Sequence, residues 1–178
     1  MDWSSKISAY LNLGAKETTE RGALLASIGE SVQAAIEKRI GRTFEPAAYV
    51  DTVDGNGRRM LYLPHDPIIA VTAVTVDSTA LDLTLFVVRD KAGLVLKDGA
   101  VWSEGVGNIV VTYTAGYELP PVDLVQAGVR WAAGIFRHRD RIGQASTGIA
   151  GQSTSFTEEM PAWMEKTIAA HIRWDRPC

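Results

Sequence analysis

Residues Arg137-His138-Arg139-Asp140-Arg141 form the only basic cluster in the chain. Three guanidinium groups and an imidazole within five residues could grip DNA phosphate or the acidic surface of a protein partner. The plainer account is a charged helix end, because the helix dipole favours cations at a C-terminus. No aromatic side chains interleave with the cluster, as a stacking platform for single strands would require.

A second candidate is His65-Asp66. Pairing of strands near 47–53 and 59–63 through Asp54-Gly55-Asn56-Gly57 would bring both close to Asp51 and Asp54. Such side chains hold a metal only if several converge, and this spacing matches no metal loop. Polar residues between Pro64 and Pro67 are also what a turn favours. We expect no metal and no cofactor. His171, on the apolar face of a last helix, reads as a packed histidine. The single cysteine, Cys178, cannot form an internal disulfide, and the chain is compatible with a reducing cytoplasm.

Catalytic motifs are missing. There is no Gly-rich loop closing on Lys-Ser/Thr, no His-Glu-x-x-His and no Gly-x-Ser-x-Gly. Gly105-Val106-Gly107 precedes a strand, so it cannot present helix N–H groups to a phosphate. The expectation is a protein that is not an enzyme.

The elements that would position these residues follow from hydrophobic period. Trp3, Ile7, Tyr10 and Leu11 share a face of a helix over 3–13, ended by Gly14. Thr18 or Thr19 caps a longer helix to Ile40, with Leu25, Ile28, Val32 and Ile36 at helical spacing and Gly41 as its stop. Gly22 and Gly29 weaken its propensity but allow close packing. From 47 to 115 the period falls to two, giving strands near 47–53, 59–63, 70–76, 84–88, 93–96 and 108–114. Turns are read at 91–93 and 97–99. Pro120-Pro121 starts a helix to about Arg139, with Leu124, Gly128, Trp131, Ala132 and Ile135 inward. Residues 142–157 are rich in Gly, Ser, Thr and Gln and read as a long, flexible arm. A last helix runs from Pro161 to about Trp174, with Met164, Ile168, His171 and Ile172 on one face. The fold class is α+β: a small helical bundle with an antiparallel β segment inserted between the second and third main helices. We expect one domain over 1–178, with helical parts 1–46 and 116–178 around the 47–115 insertion.

The chain has 178 residues, 46% hydrophobic and 22% charged, which is enough to bury a core without staples. A formal net charge of -3 argues against a dedicated nucleic-acid binder. No signal peptide and no membrane-spanning apolar run is visible.

Several segments in fixed order carry a family resemblance. They are Ile36-Glu37-Lys38-Arg39-Ile40-Gly41-Arg42-Thr43-Phe44, Leu61-Tyr62-Leu63-Pro64 with Pro67-Ile68, Val111-Thr112-Tyr113-Thr114-Ala115-Gly116-Tyr117, Pro120-Pro121-Val122-Asp123-Leu124, and Arg139-Asp140-Arg141 before the arm. The chain resembles head–tail connector (adaptor, or head-completion) proteins of long-tailed bacteriophages or related gene transfer agents. The resemblance implies a structural virion protein at the head–tail junction, made in the host cytoplasm. It implies a self-assembled dodecameric ring beneath the portal protein, extending the DNA channel and docking a stopper or tail-completion protein. Genomic DNA would pass through without specific binding, and no membrane is involved. The docking residues expected are Arg137, Arg139 and Arg141, with Ile142, Ile149 and Phe156 of the arm. A stopper or tail terminator is the alternative within the neck; a DNA-binding module is the alternative outside it.

Overall fold

The computed structural model describes residues 1–139, 147–149, 152–154 and 160–172. The chain divides into two compact units, a helical one of Met1–Ile40 with Pro121–Arg173, and a β unit built on Gly41–Pro120.

In the helical unit, α1 (Trp3–Leu11) begins with Asp2 accepting the Ser5 N–H at 3.0 Å, which satisfies one orphan donor of the first turn. Asn12, in the left-handed conformation, ends it. Gly14 was the expected stop; instead its carbonyl accepts the Thr18 N–H, and α2 (Ala15–Ile40) has already begun. Neither Thr18 nor Thr19 caps that helix. The Thr19 hydroxyl donates to the Ala15 carbonyl inside the first turn. Gly41 follows the helix at φ +71.

Trp3 organises this unit. A Cβ placed on Gly29 of α2 would lie 2.3 Å from the Trp3 Cβ, and one on Gly128 would lie 2.8 Å from the far edge of the indole. Both positions therefore require glycine, and the expected close packing at Gly29 is explained by one wedged side chain. The indole N–H donates to Gln33 at 2.7 Å, and Gln33 donates in turn to Glu37 at 2.9 Å.

Helix α3 (Val122–His138) follows Pro121 and buries Leu124, Gly128, Trp131 and Ala132 as expected. Phe136 is buried as well, whereas Ile135 is half-buried. The buried stripe is wider than a single row, since Val125, Val129 and Ala133 also face inward. Helix α4 (Ala162–Ala169) starts after Pro161 and buries Met164 and Ile168.

The β unit holds two antiparallel sheets. The strands in chain order are β1 (Ala47–Gly55), β2 (Met60–Tyr62), β3 (Ile68–Val76), β4 (Thr79–Ala80), β5 (Phe86–Arg89), β6 (Gly93–Leu96) and β7 (Gly105–Ala115). One sheet has the order β1-β7-β3-β4, the other β2-β6-β5. Leu61, Phe86, Leu94 and Leu96 of the smaller sheet share a core with Leu63, with Trp102 and with Ile68, Val74, Ile109, Val111 and Tyr113 of the larger. The α+β class and the place of the β segment between α2 and α3 agree with the sequence reading.

One pairing differs. The Asp54–Gly57 turn was expected to join β1 to β2 as a hairpin, but β1 pairs with β7 and β2 with β6. The turn thus carries the chain from one sheet to the other. The turn between β5 and β6 centres on Asp90 and Lys91, both at φ 51, slightly earlier than expected. Within the stretch read as an arm, β8 (Thr147–Ile149) pairs with β9 (Gln152–Thr154).

Candidate docking surfaces

The basic cluster begins on the last turn of α3, as a helix dipole favours. Arg137 and His138 are exposed there. Arg139 turns back on its own helix. Its guanidinium lies 4.2 Å from the centre of the Phe136 ring and donates to the Phe136 carbonyl at 2.7 Å. This satisfies a terminal carbonyl and covers an aromatic face. Of the expected docking residues, Arg137 is presented to solvent and Arg139 is partly committed to the helix end. Arg141, Ile142 and Phe156 lie outside the described residues, and Ile149 is placed only by its backbone pairing with Gln152.

The polar side chains of the β unit are distributed among separate partners. Asp51 on β1 and His65 do come together, at 3.9 Å, although β1 and β2 do not pair. The link is Tyr113 on β7, which faces β1 in register. Its hydroxyl donates to Asp51 at 2.5 Å and accepts the His65 backbone N–H at 3.1 Å. The His65 ring stacks on Tyr49 with centroids 3.8 Å apart. Burial pushes the Tyr113 hydroxyl above its ordinary pKa, and the bond to Asp51 pushes it further, so it stays a donor. Asp54 instead accepts the Gly107 N–H at 2.6 Å and clamps the start of β7.

Asp66 takes a different partner again. Buried to 6% exposure, it receives Arg42 at 3.0 Å through Nε and at 3.4 Å through Nη2. Burial disfavours the Arg42 charge, but the bonds to Asp66 and Tyr117 outweigh it and raise its pKa. This paired geometry holds the turn before β3. Among the described residues no three His, Cys, Asp or Glu side chains could share a metal ion. His171 departs from its expected apolar packing: it lies beyond the end of α4 and hydrogen-bonds Asp123 at 2.7 Å. That contact ties α4 to the first turn of α3. Burial raises the Asp123 pKa, and the bonds from His171 and the Leu124 N–H lower it more, so the net shift is downward.

Sequence reasoning missed the open sheet edges. β1 is one edge of the larger sheet and β5 one edge of the smaller. On β1, Val50 is 68% exposed. Next to β5, a 3-10 turn (Leu83–Leu85) and the strand together expose Leu83, Leu85, Val87 and Val88. The signal was present in Leu83, Leu85, Val87 and Val88, but their exposure depends on which strand lies at the edge.

A geometry of helix-end cations, clamped turns and open apolar edges suits assembly. No curated protein matches the chain. Its fold is similar to a chain of the neck of an empty GTA particle computed with C6 symmetry, at 25% identity and TM-score 0.65, covering 98% of this chain and 90% of that one. It is also similar to a chain of the virion of a native gene transfer agent (GTA) particle, at 21% identity and TM-score 0.58, covering 84% and 83%. A chain of the neck of a native GTA particle computed with C12 symmetry matches at 18% identity and TM-score 0.55, covering 90% and 96%. The last two bear on the fold alone. The model of the family described as head completion protein matches residues 5–174, nearly the whole length, and the chain therefore belongs to the head completion protein family.

Proposed function

We propose that this protein is a structural neck component, forming a ring beneath the portal that extends the DNA channel and docks the stopper or tail. The observation that carries this is the 25% identical chain, aligned over 98% of this one, from a gene transfer agent neck computed with C6 symmetry. The physical features support it. Acidic side chains outnumber basic ones in the chain, and a channel that must release DNA gains from walls that repel phosphate. Its contribution is self-association and docking, with no chemistry of its own. Arg137, with Arg139 and Arg141, supplies docking contacts, together with Ile142, Ile149 and Phe156 of the 142–157 segment. That segment reaches a neighbouring subunit or the portal. The test is sedimentation of the purified chain with its portal. Co-migration as a complex of defined stoichiometry is expected, and it should weaken when Arg137 is changed to Glu. Failure to associate, with tight and salt-sensitive binding to duplex DNA, would replace this reading with a DNA-binding one.

A further inference from the structure

We propose that neighbouring subunits of the ring join edge to edge, the open edge of β1 in one copy receiving the 83–89 edge of a second copy. The inference rests on the ring reading above and adds the surfaces that close it.

The first observation is that β1 is a long edge with little to block it. It runs nine residues, Ala47–Gly55, and pairs only with β7. It contains no Lys and no Pro, and its one irregularity lies at the Val53/Gly55 end. An exposed strand of this kind invites another strand, and natural proteins normally block it. As far as Thr52 the outward face beside this edge is also uncharged. In register across the sheet, its rows are Ala48, Thr114 and Ala70; Val50, Thr112 and Ala73; and Thr52, Val110 and Thr75.

The second observation concerns symmetry. Copies related by rotation in a ring of more than two meet through two different surfaces, so β1 cannot meet β1. Among the described residues, β4 offers two residues, β2 three, and β8 and β9 three each. β4 covers β3 only at Thr75 and Val76, but two register irregularities, at Ile68/Ala70 and Val71/Ala73, interrupt the rest of that strand and blunt it as an edge. That leaves β5, extended by the 83–85 turn. It is the one carrying four exposed aliphatic side chains. Burying these against Val50 and its neighbours removes apolar surface from water on both copies. Charge agrees as well: Ala47–Gly55 holds Asp51 and Asp54 and no basic residue, whereas exposed Arg89 and Lys91 flank Asp90 at the end of β5.

The experiment uses the full chain with Cys178→Ser, so that no native thiol interferes. Val50→Cys and Val87→Cys are made separately, both at exposed positions. Under mild oxidation, disulfide dimers should form when the two proteins are mixed and hardly at all in either alone. Val50→Lys should weaken self-association by about tenfold. On the unsubstituted chain, amides of 47–55 and 83–89 should gain hydrogen-exchange protection together on assembly. Electron microscopy of the same samples reports the ring separately. Rings without mixed crosslinks and without joint protection would overturn the edge pairing and leave the ring reading standing. Mixed crosslinks in the absence of closed rings would support the pairing and overturn the ring. Absence of both would remove both, and equal crosslinking in one population alone would make the contact isologous and refute the proposal.

Discussion

The Tyr113 hydroxyl donates to the Asp51 carboxylate across the β1–β7 pair, at 2.5 Å, while accepting the His65 backbone N–H. One phenol thus ties the edge strand to the turn that follows β2. Tyr113→Phe leaves both partners without it in a partly buried setting. The expected cost is about 1–3 kcal/mol of stability, read from denaturant unfolding. An unchanged midpoint would show that water replaces the hydroxyl at no cost.

Trp3 gives a second test, because two glycines make room for it. Gly29→Ala should destabilise the helical unit by about 1–3 kcal/mol, since its Cβ meets the Trp3 Cβ and ring. Gly134→Ala is the control: it lies within α3 with no atom near its Cβ, and should gain up to about 1 kcal/mol. Equal effects from the two would contradict the wedge.

Trp131 is 8% exposed on the inward face of α3. Trp131→Ala should cost about 3–5 kcal/mol by thermal or chemical unfolding. A variant that melts like the parent would place this side chain outside the core.

These three tests differ in how far the sequence alone could have suggested them. Trp131 was legible because it repeats at helical spacing with Leu124; α2 and α3 were legible for the same reason, and β7 from its period of two. The partner of β1 was not. Alternation of Ala48, Val50 and Thr52 with Tyr49, Asp51 and Val53 says which residues share a face, but nothing local says which strand lies alongside. The Asp54–Gly57 turn looked like a hairpin because Gly and Asn tolerate positive φ, and such a turn serves equally well to cross between sheets. Asn12 displaced Gly14 as the helix end because both residue types are tolerated in the left-handed region. For the site, His65 and Asp51 were correctly brought together for the wrong reason, with Tyr113 as the unseen link. The commitment of Arg139 to Phe136 could not be read from charge pattern.

The Asp123–His171 bond predicts a pH dependence. The folded-state pKa of Asp123 lies below its ordinary value, so its contribution is present above the ordinary carboxylate pKa, about 3.9, and is lost as pH falls through the depressed value. Protection of the α4 amides, taken relative to their intrinsic exchange rates, should therefore fall on acidification below about pH 4. Asp123→Asn should remove that part of the pH response. A variant with the same acid profile as the parent would separate α4 from this bond.

The central claim is that the chain works as a ring on the portal. Electron microscopy of the purified protein mixed with its portal tests it most directly. The account predicts closed rings stacked coaxially on the portal with an open channel. Dispersed monomers beside undecorated portals, at concentrations well above those of the assembled particle, would contradict it.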